Sequence, residues 1–454
     1  MSLSVIILAA GQGTRMRSGR PKVLHPVGGR PMLQRVLDTA HQLLAQDVHV
    51  VYGHGGEQVL GAIRDESLVW VLQEQQLGTG HAVDQAMPGI ADGQTVLILY
   101  GDVPLITAAT LQPLIDAASD TVALLTVVLE TPTGYGRILR DASGAVRAIV
   151  EEKDASDEQR AITEVNTGMM AMPAGKLRQW LSRLENNNAQ GEYYLTDVIA
   201  MAVADGVAIN AVQAGSVIEV SGVNNRAQLA EMERAWQARQ AEAAMAAGAT
   251  LLDPARFDVR GELSVGQDVT IDVNCVFEGE VVLGDHVVIG PNCVIRDSTL
   301  ADGVQVLANS VIEEARVGEG SRVGPFSRLR PGAQLAGHNH VGNFVEIKQS
   351  TIGEGSKVNH LTYIGDTSMG SGVNIGAGTI TANYDGANKH RTVIGDQAST
   401  GSNSVLVAPV TVGAGATLGA ATVLRKDAPA EQLTLTPSKQ KTIEGWRRPE
   451  KNKS

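Results

Sequence analysis

Residues 265–295 read VGQDVT IDVNCV FEGEVV LGDHVV IGPNCV I when cut into sixes, and each block opens on an apolar residue. After Val265, Ile271, Phe277, Leu283, Ile289 and Ile295 come Val317, Val323, Leu329, Leu335, Val341 and Ile347. Ile352, Val358 and Ile364 follow, and then Ile394, Thr400, Leu406, Val412, Leu418 and Leu424. The phase slips by one residue between runs, as at Ile295 to Leu300 and Ile347 to Ile352. A period of six fits neither an amphipathic helix nor a two-residue alternation. It predicts a β-solenoid in which each hexad is one short flat face and three hexads close a triangular coil. The apolar residue points inward, and the small residue after it forms the corner. A glycine-rich linker would hold no such register. At about 4.8 Å per coil the span predicts roughly nine or ten coils, a prism on the order of 45 Å long. Two segments, Arg328–His340 with Pro331 and Thr381–Arg391 (TANYDGANKHR), are expected to leave the wall as loops. Flat walls pack against copies of themselves, and a three-sided prism suits threefold closure, so a homotrimer is expected.

The remaining composition fits a chain of two or three domains. Of 454 residues 50 are Gly and only 3% are aromatic, as small corners require. A formal charge of −12 argues against nucleic acid or an anionic membrane as partner, so a polyanionic substrate must be met by local positive charge. The opening MSLSVIILAAGQG lacks the basic start and apolar length of a signal peptide, and no run approaches 18 apolar residues. The expectation is a cytoplasmic protein without membrane insertion. Cys275 and Cys293 stand one coil apart, which allows either a strained disulfide or two buried free thiols.

The first 220 residues alternate short apolar strands with helical stretches. Strands are read at Val5–Ala10, Val48–Tyr52 and Thr95–Tyr100, and helices at Pro31–Leu44, Thr79–Met87 and Ala108–Ala118. This order predicts a parallel-rich, Rossmann-like α/β sheet with ligands beyond the carboxyl ends of its strands. The loops after Ala10, Tyr52 and Tyr100 should meet at one crevice. In the first of them, Ala9 to Gly13 permit close approach of backbone N–H groups, and Arg15, Arg17, Arg20 and Lys22 gather positive charge. Bare amides and mobile cations suit a triphosphate, although a solvated charge run reads the same way. The loop is neither a Walker loop nor a Gly-x-Gly-x-x-Gly turn. Asp102, after Tyr100-Gly101, stands where a carboxylate can hold Mg²⁺ against phosphate, or simply make a turn. Asn225 to Ala247 predicts a helix with Leu229, Met232, Trp236 and Ala243 on one stripe, a linker helix over 225–248 between domains at 1–224 and 249–454.

LAAGQGTRM, RPKVLH, GTG at Gly78–Gly80, YGDVPL, GYGR, IVEEK, EVNTG, NNAQGEYY and GVNN together resemble the sugar-1-phosphate nucleotidylyltransferases. With the hexapeptide half, nearly the whole chain is similar to a family of bifunctional bacterial enzymes. These combine N-acetylglucosamine-1-phosphate uridylyltransferase and glucosamine-1-phosphate N-acetyltransferase activities. The resemblance implies a nucleotidyltransferase domain joined to a left-handed parallel β-helix. It implies acetyl transfer from acetyl-CoA to glucosamine 1-phosphate, then uridylyl transfer from UTP, giving UDP-N-acetylglucosamine for peptidoglycan and lipopolysaccharide. It assigns nucleotide binding to Leu8, Ala9, Ala10, Gly11, Lys22, Gln73, Gly78, Thr79, Tyr100, Gly101 and Asp102, sugar binding to Gly136, Glu151 and Asn166, and Mg²⁺ to Asp102 and Asn224. Arg15 and Lys22 are expected to stabilise the charge of the transferring phosphoryl group.

In the solenoid, His360 sits at the fifth position of a hexad, away from the inward residue, where an imidazole can take a proton from an attacking amine. Taken alone it reads better as an isolated surface histidine. The resemblance makes it the general base, gives Arg330, Lys348, Tyr363, Asn374, Asn383 and Tyr384 to the sugar phosphate and acyl-donor cleft, and gives Ala377, Ser402 and Ala420 to acetyl-CoA. Pro437 replaces an Arg that many relatives direct at the coenzyme, with Lys439 or Lys441 as stand-ins, and Ala382 replaces a Cys. The basic tail from Gly445 to Ser454 reads as disordered at its end. The alternative is a single-function sugar-1-phosphate nucleotidylyltransferase whose β-helix is purely structural.

Overall fold

The computed structural model describes residues 2–437 and 439–449, so Ser438 and the tail residues Lys451 and Lys453 lie outside the described residues. The chain forms two compact units, Met1–Gln237 and Ala238–Ser454.

In the first unit the strand Leu3–Leu8 lies at the middle of a nine-stranded sheet, between Thr95–Tyr100 and Asp47–Tyr52, both parallel to it. Val5, Ile6 and Ile7 are wholly buried, as an inner parallel strand requires. Helices run over Met32–Gln42, Thr79–Ala86 and Ala108–Asp116, within a turn of the expected limits. The sheet is mixed, because Glu164–Pro173 runs antiparallel to all three strands it pairs with. Its register shifts between Asn166 and Met170, with Gly168 left-handed at φ 88°. Asn166 still pairs with Thr126, and the irregularity takes residues 167–169 out of the pairing with Val122–Val128.

The second unit is a parallel β-helix. One wall is an eleven-stranded sheet, so the stack has more coils than the repeat length suggested. The other walls form a single sixteen-stranded sheet joined through Val294–Leu300, which bends around a corner. Inward residues stack in register, as Leu329 on Ile347 and Ile347 on Ile364, all wholly buried. Arg328–His340 does not leave the wall. Arg328 pairs with Glu346, Gln334 with Arg316 and His340 with Arg322, and Pro331-Gly332 is an ordinary corner. Pro331 fits because corners need no ladder donor. Residues 383–391 do leave the wall, between the strands Ile380–Ala382 and Thr392–Ile394.

The corner is also not where the sequence pattern suggested. The left-handed residue is most often the fourth of a hexad, as at Asp268, Asn274, His286, Asn292 and Asn309, and the third at Gly279, Asp297, Glu314, Gln349 and Asp366. Asn and Asp tolerate that conformation through their short polar side chains. Glycine after the inward residue serves a different end: a Cβ on Gly266 would lie 2.4 Å from Asp285 Oδ1 in the next coil. The two thiols are free and buried, and burial pushes the Cys275 thiol up to about 12. They are therefore packing groups.

The helix Arg226–Ala246 runs for 21 residues. Met232 and Gln237 are buried in its first part, and Ala241 and Ala244 in its second. Ala243 is exposed, so the apolar stripe follows the 3.6-residue period to Ala244 instead. Within the first unit Trp236 stacks on the Arg35 guanidinium, 3.3 Å from the ring centroid, while Arg35 Nε donates to the Val27 carbonyl at 2.6 Å.

Replacing Ile347 by Ala opens a hole between two occupied coils and is expected to destabilise the second unit by about 2–5 kcal/mol. Chemical denaturation of the variant beside the parent protein measures this.

Candidate functional site

The loop of small and basic residues begins where the strand Leu3–Leu8 ends. Ala9 N–H donates to the Val51 carbonyl at 2.8 Å, and the chain then turns through Gly13, left-handed at φ 61°, into the single 3-10 turn Thr14–Met16. Met16 is buried and anchors that turn from below. A second 3-10 turn, Lys22–Leu24, brings the Lys22 ammonium back over the carboxyl end of the sheet. There Lys22 Nζ donates to Asp102 Oδ2 in a short contact, and to Asn224 Oδ1 at 3.1 Å. Asn224 is set against the Asp102 loop because Val223 N–H donates to the Asp102 carbonyl at 2.9 Å. Its own N–H donates to Gln228 Oε1 at 2.8 Å.

Two cavities share this cluster. The smaller, of about 230 Å³, is walled by Leu8, Ala9, Ala10, Gly11, Lys22, Gln73, Gly78, Thr79, Tyr100 and Asp102. Gly101 backs it, and Gly53 from the loop after Tyr52 packs behind Ala10 without lining it. Gly78 is required at φ 114°, where a Cβ would lie 2.6 Å from the Tyr193 carbonyl oxygen. The larger cavity, of about 380 Å³, adds Arg15, Tyr135, Asn224 and Gln228 to Lys22, Tyr100 and Asp102. Beside Tyr100, the Asn166 N–H donates to the Gly136 carbonyl at 2.9 Å, and Thr196 Oγ1 donates to Glu151 Oε1 at 3.0 Å. Burial raises the Glu151 carboxyl above its usual range despite that bond. Burial likewise raises the Tyr100 phenol, with Glu151 and Asp102 adding to the effect. Arg17 and Arg20 are exposed and join neither cavity. Gln76, Glu192 and Gln228 line the site although sequence reasoning assigned them nothing. Glu192 stood within the NNAQGEYY motif, and Gln228 is the third residue after Asn225, a helix-start position that could have marked it.

In the second unit the outward residues of successive coils build a charged cluster. Lys348 Nζ lies 3.8 Å from Asp366 Oδ2, Asn383 Nδ2 makes a short bond to the same carboxylate, and Arg330 donates to Glu346 Oε1 at 2.6 Å. Tyr363 OH accepts from Asn383 Nδ2 at 3.5 Å. The excursion 383–391 folds on itself. The Asp385 carboxylate accepts from the N–H groups of Asn388 and Ala387 at 2.7 and 2.8 Å and meets the His390 ring at 2.6 Å. These bonds, that to Asn388 first, hold the Asp385 carboxyl below its usual range. Tyr384 OH donates to the Gly386 carbonyl at 2.6 Å, so its ring is exposed on the excursion. Lys389 comes close enough to Lys348 for the second ammonium to lower its pKa. Asp366 and Lys389 had gone unassigned in the sequence.

His360 faces another direction. Its Nδ1 lies 3.1 Å from Asn343 Oδ1, its in-register partner one coil away, and both line a cavity of about 310 Å³ with Arg322 and His340. The corner residues Leu361 and Thr362 separate it from Tyr363. Among the described residues no hydrogen bond joins His360 or Asn374 to the Lys348 cluster. Ala377, Ser402 and Ala420 follow one another up the coils, with Asn403 N–H on the Ala377 carbonyl at 2.7 Å and Ala421 N–H on the Ser402 carbonyl at 2.8 Å.

Oxygen donors suited to Mg²⁺ are present. Asp102 and Asn224 point their side-chain oxygens at one cationic position, now spanned by the Lys22 ammonium. Among the described residues no three His, Cys, Asp or Glu side chains gather as a protein-only metal cage.

Comparison with known proteins bears on both units. The MobA-like NTP transferase domain matches residues 5–171, and the GMPPB C-terminal domain matches residues 259–339. A bifunctional protein GlmU from Cellvibrio japonicus is 60% identical over 448 residues, covering 98% of this chain and 99% of that one. The bifunctional protein GlmU from Pseudomonas entomophila is 59% identical over 454 residues, covering all of both chains. That from Methylococcus capsulatus is 57% identical over 99% of this chain and 98% of its own. With a nucleotidyltransferase sheet, a parallel β-helix and this identity along its whole length, the chain belongs to the family of bifunctional GlmU proteins.

Proposed function

We propose that this bifunctional transferase acetylates glucosamine 1-phosphate from acetyl-CoA in its second unit, and in its first transfers a uridylyl group from UTP to the N-acetylglucosamine 1-phosphate so made. The observation that carries the reading is the convergence of Lys22, Asp102 and Asn224 on one point at the mouth of a loop of bare amides. The functional boundaries are read as 1–224, 225–248 and 249–454, with the middle segment a linker. The donors are cytoplasmic metabolites, and no described helix is long and apolar enough to cross a membrane, so the protein is read as cytoplasmic.

In the first unit the phosphate of the acetylated sugar attacks the α-phosphorus of UTP in line, and pyrophosphate leaves. Ala10 and Gly11 offer backbone N–H groups to the nucleotide beside the small Ala9, Gln73, Gly78 and Thr79 wall the base side, and Gly136, Glu151 and Asn166 face the sugar. Lys22 and Arg15 neutralise charge as it builds on the phosphoryl oxygens. Asp102 and Asn224 would hold Mg²⁺, which when bound supplies further neutralisation of phosphate charge.

In the second unit Lys348 and Lys389 repel one another, and a phosphate between them relieves that repulsion. This supports a sugar phosphate held there with Arg330, Tyr363, Asn383 and Tyr384. His360, its Nδ1 turned to Asn343, takes a proton from the amine as it attacks the thioester, and the coenzyme thiolate leaves. Asn374, Ala377, Ser402 and Ala420 line the coenzyme's path. His360 and the phosphate cluster lie on opposite sides of one corner, so a complete site needs a neighbouring copy. The corner itself is apolar: Phe326 and Phe344 stack at 5.5 Å between centroids while 51% and 56% exposed, and Leu361 follows at 63%. A homotrimer covers that ladder and completes the site.

Purified protein supplied with glucosamine 1-phosphate, acetyl-CoA, UTP and Mg²⁺ should yield first the acetylated sugar phosphate and then UDP-N-acetylglucosamine by mass spectrometry. Asp102→Ala or Arg15→Ala should lower uridylyl transfer by roughly 10²–10³-fold and spare acetyl transfer. His360→Ala should do the reverse, by about 10²–10⁴-fold. Loss of both activities in any one of these variants would defeat the two-site reading. Phe344→Asp should shift the sedimentation coefficient from trimer towards monomer and remove acetyl transfer alone.

A further inference from the structure

Arg15 makes no hydrogen bond or ion pair among the described residues, and it rides on a single 3-10 turn, Thr14–Met16. One isolated turn has no stability of its own. Something else must hold that turn at a fixed distance from Asp102 and Asn224, across the cavity that all three line. Two contacts do so. The first is the buried Met16 side chain, which packs with Val27, Met32, Val223 and Met232. The second is Arg226, the first residue of the long helix and two residues beyond Asn224. Its Nε donates to the Met16 carbonyl at 3.2 Å, and its NH1 lies 3.4 Å from His25 Nδ1. His25 is buried, and burial, then Arg226 and Arg20, lower its pKa, so the neutral ring accepts at Nδ1. Through its two arms Arg226 therefore grips both ends of the loop: the turn that carries Arg15, and the exit from the turn that carries Lys22.

We propose that Arg226 is a positioning residue for nucleotidyl transfer, fixing the Arg15 turn to the helix start that presents Asn224. The proposal rests on the reading of the first unit as the uridylyl-transfer site. Arg226 itself touches no reacting atom. Its role is to hold Arg15 in the place where charge develops, and misplacement on the order of 1 Å costs up to about 10²-fold in rate.

Arg226→Gln should lower kcat for uridylyl transfer about 10–100-fold with KM for N-acetylglucosamine 1-phosphate changed by less than about threefold. Acetyl transfer should be unchanged. Arg226→Lys, which can still donate to the Met16 carbonyl, should recover part of the loss. The deciding measurement is a double-mutant cycle with Arg15→Lys. If Arg226 acts through Arg15, the two losses combine to less than their product. Independent, multiplicative losses would overturn the role. A parental kcat in Arg226→Gln beside a crippled Arg15→Lys would overturn it too, while leaving the reading of the site intact. A parental kcat in both variants would overturn the site and the role together.

Discussion

A parallel β-helix allows side chains only two directions, and the inward one is closed to chemistry. Every coil must bury its inner face on the coils above and below at a spacing of about 4.8 Å. Leu329, Ile347 and Ile364 obey this, stacked in register and wholly buried. Polar clusters on such a unit are therefore left to outward side chains, at corners or on the excursion 383–391. That is why Lys348, Asp366 and Asn383 meet on the outside although they come from different coils. The same constraint separates His360 from them, since a corner lies between one wall and the next.

The first unit solves a different problem. Its central strands Leu3–Leu8 and Thr95–Tyr100 are largely buried, and the cavities lie at the edge formed by their carboxyl ends. Into that edge the chain feeds Lys22, Asp102 and Asn224, whose contacts span 80 and 202 residues of sequence. A cation between a carboxylate and an amide oxygen is costly to leave unpaired there. The same arrangement holds the site in order before a substrate arrives.

Much of this could be read directly from residues, because some positions admit few choices. The six-residue beat is legible since an inward site accepts little besides Ile, Leu and Val. The loop after the first strand is legible since Gly11, Gly13 and four cations crowd a short stretch of an acidic protein, although only Arg15 and Lys22 of the four line a cavity. The corner position was harder, because Asn and Asp at the left-handed fourth residue give way to Phe326, Phe344 and Leu361 along one edge. Pro331 looked like a wall-breaker, but a corner tolerates it. Ala243 was misjudged because alanine marks neither face of a helix clearly. Asp366, Lys389 and Arg226 act through partners distant in sequence, and no local pattern announces such pairs.

The excursion 383–391 has a consequence for how such a rod can change. Across it, coil-to-coil hydrogen bonds connect residues 25 apart, as Ser371 to Asp396, against 17 between Ala315 and Ser298 and 18 between Gln267 and Asp285. Yet the flanking strands pair in register, Thr367 with Thr392 and Ile380 with Val405. The stack therefore registers the added length nowhere but at one edge. Segments of other length and chemistry can be spliced in between Ala382 and Thr392 while the rungs above and below stay as they are, so a scaffold of this kind can exchange its ligand without having to refold.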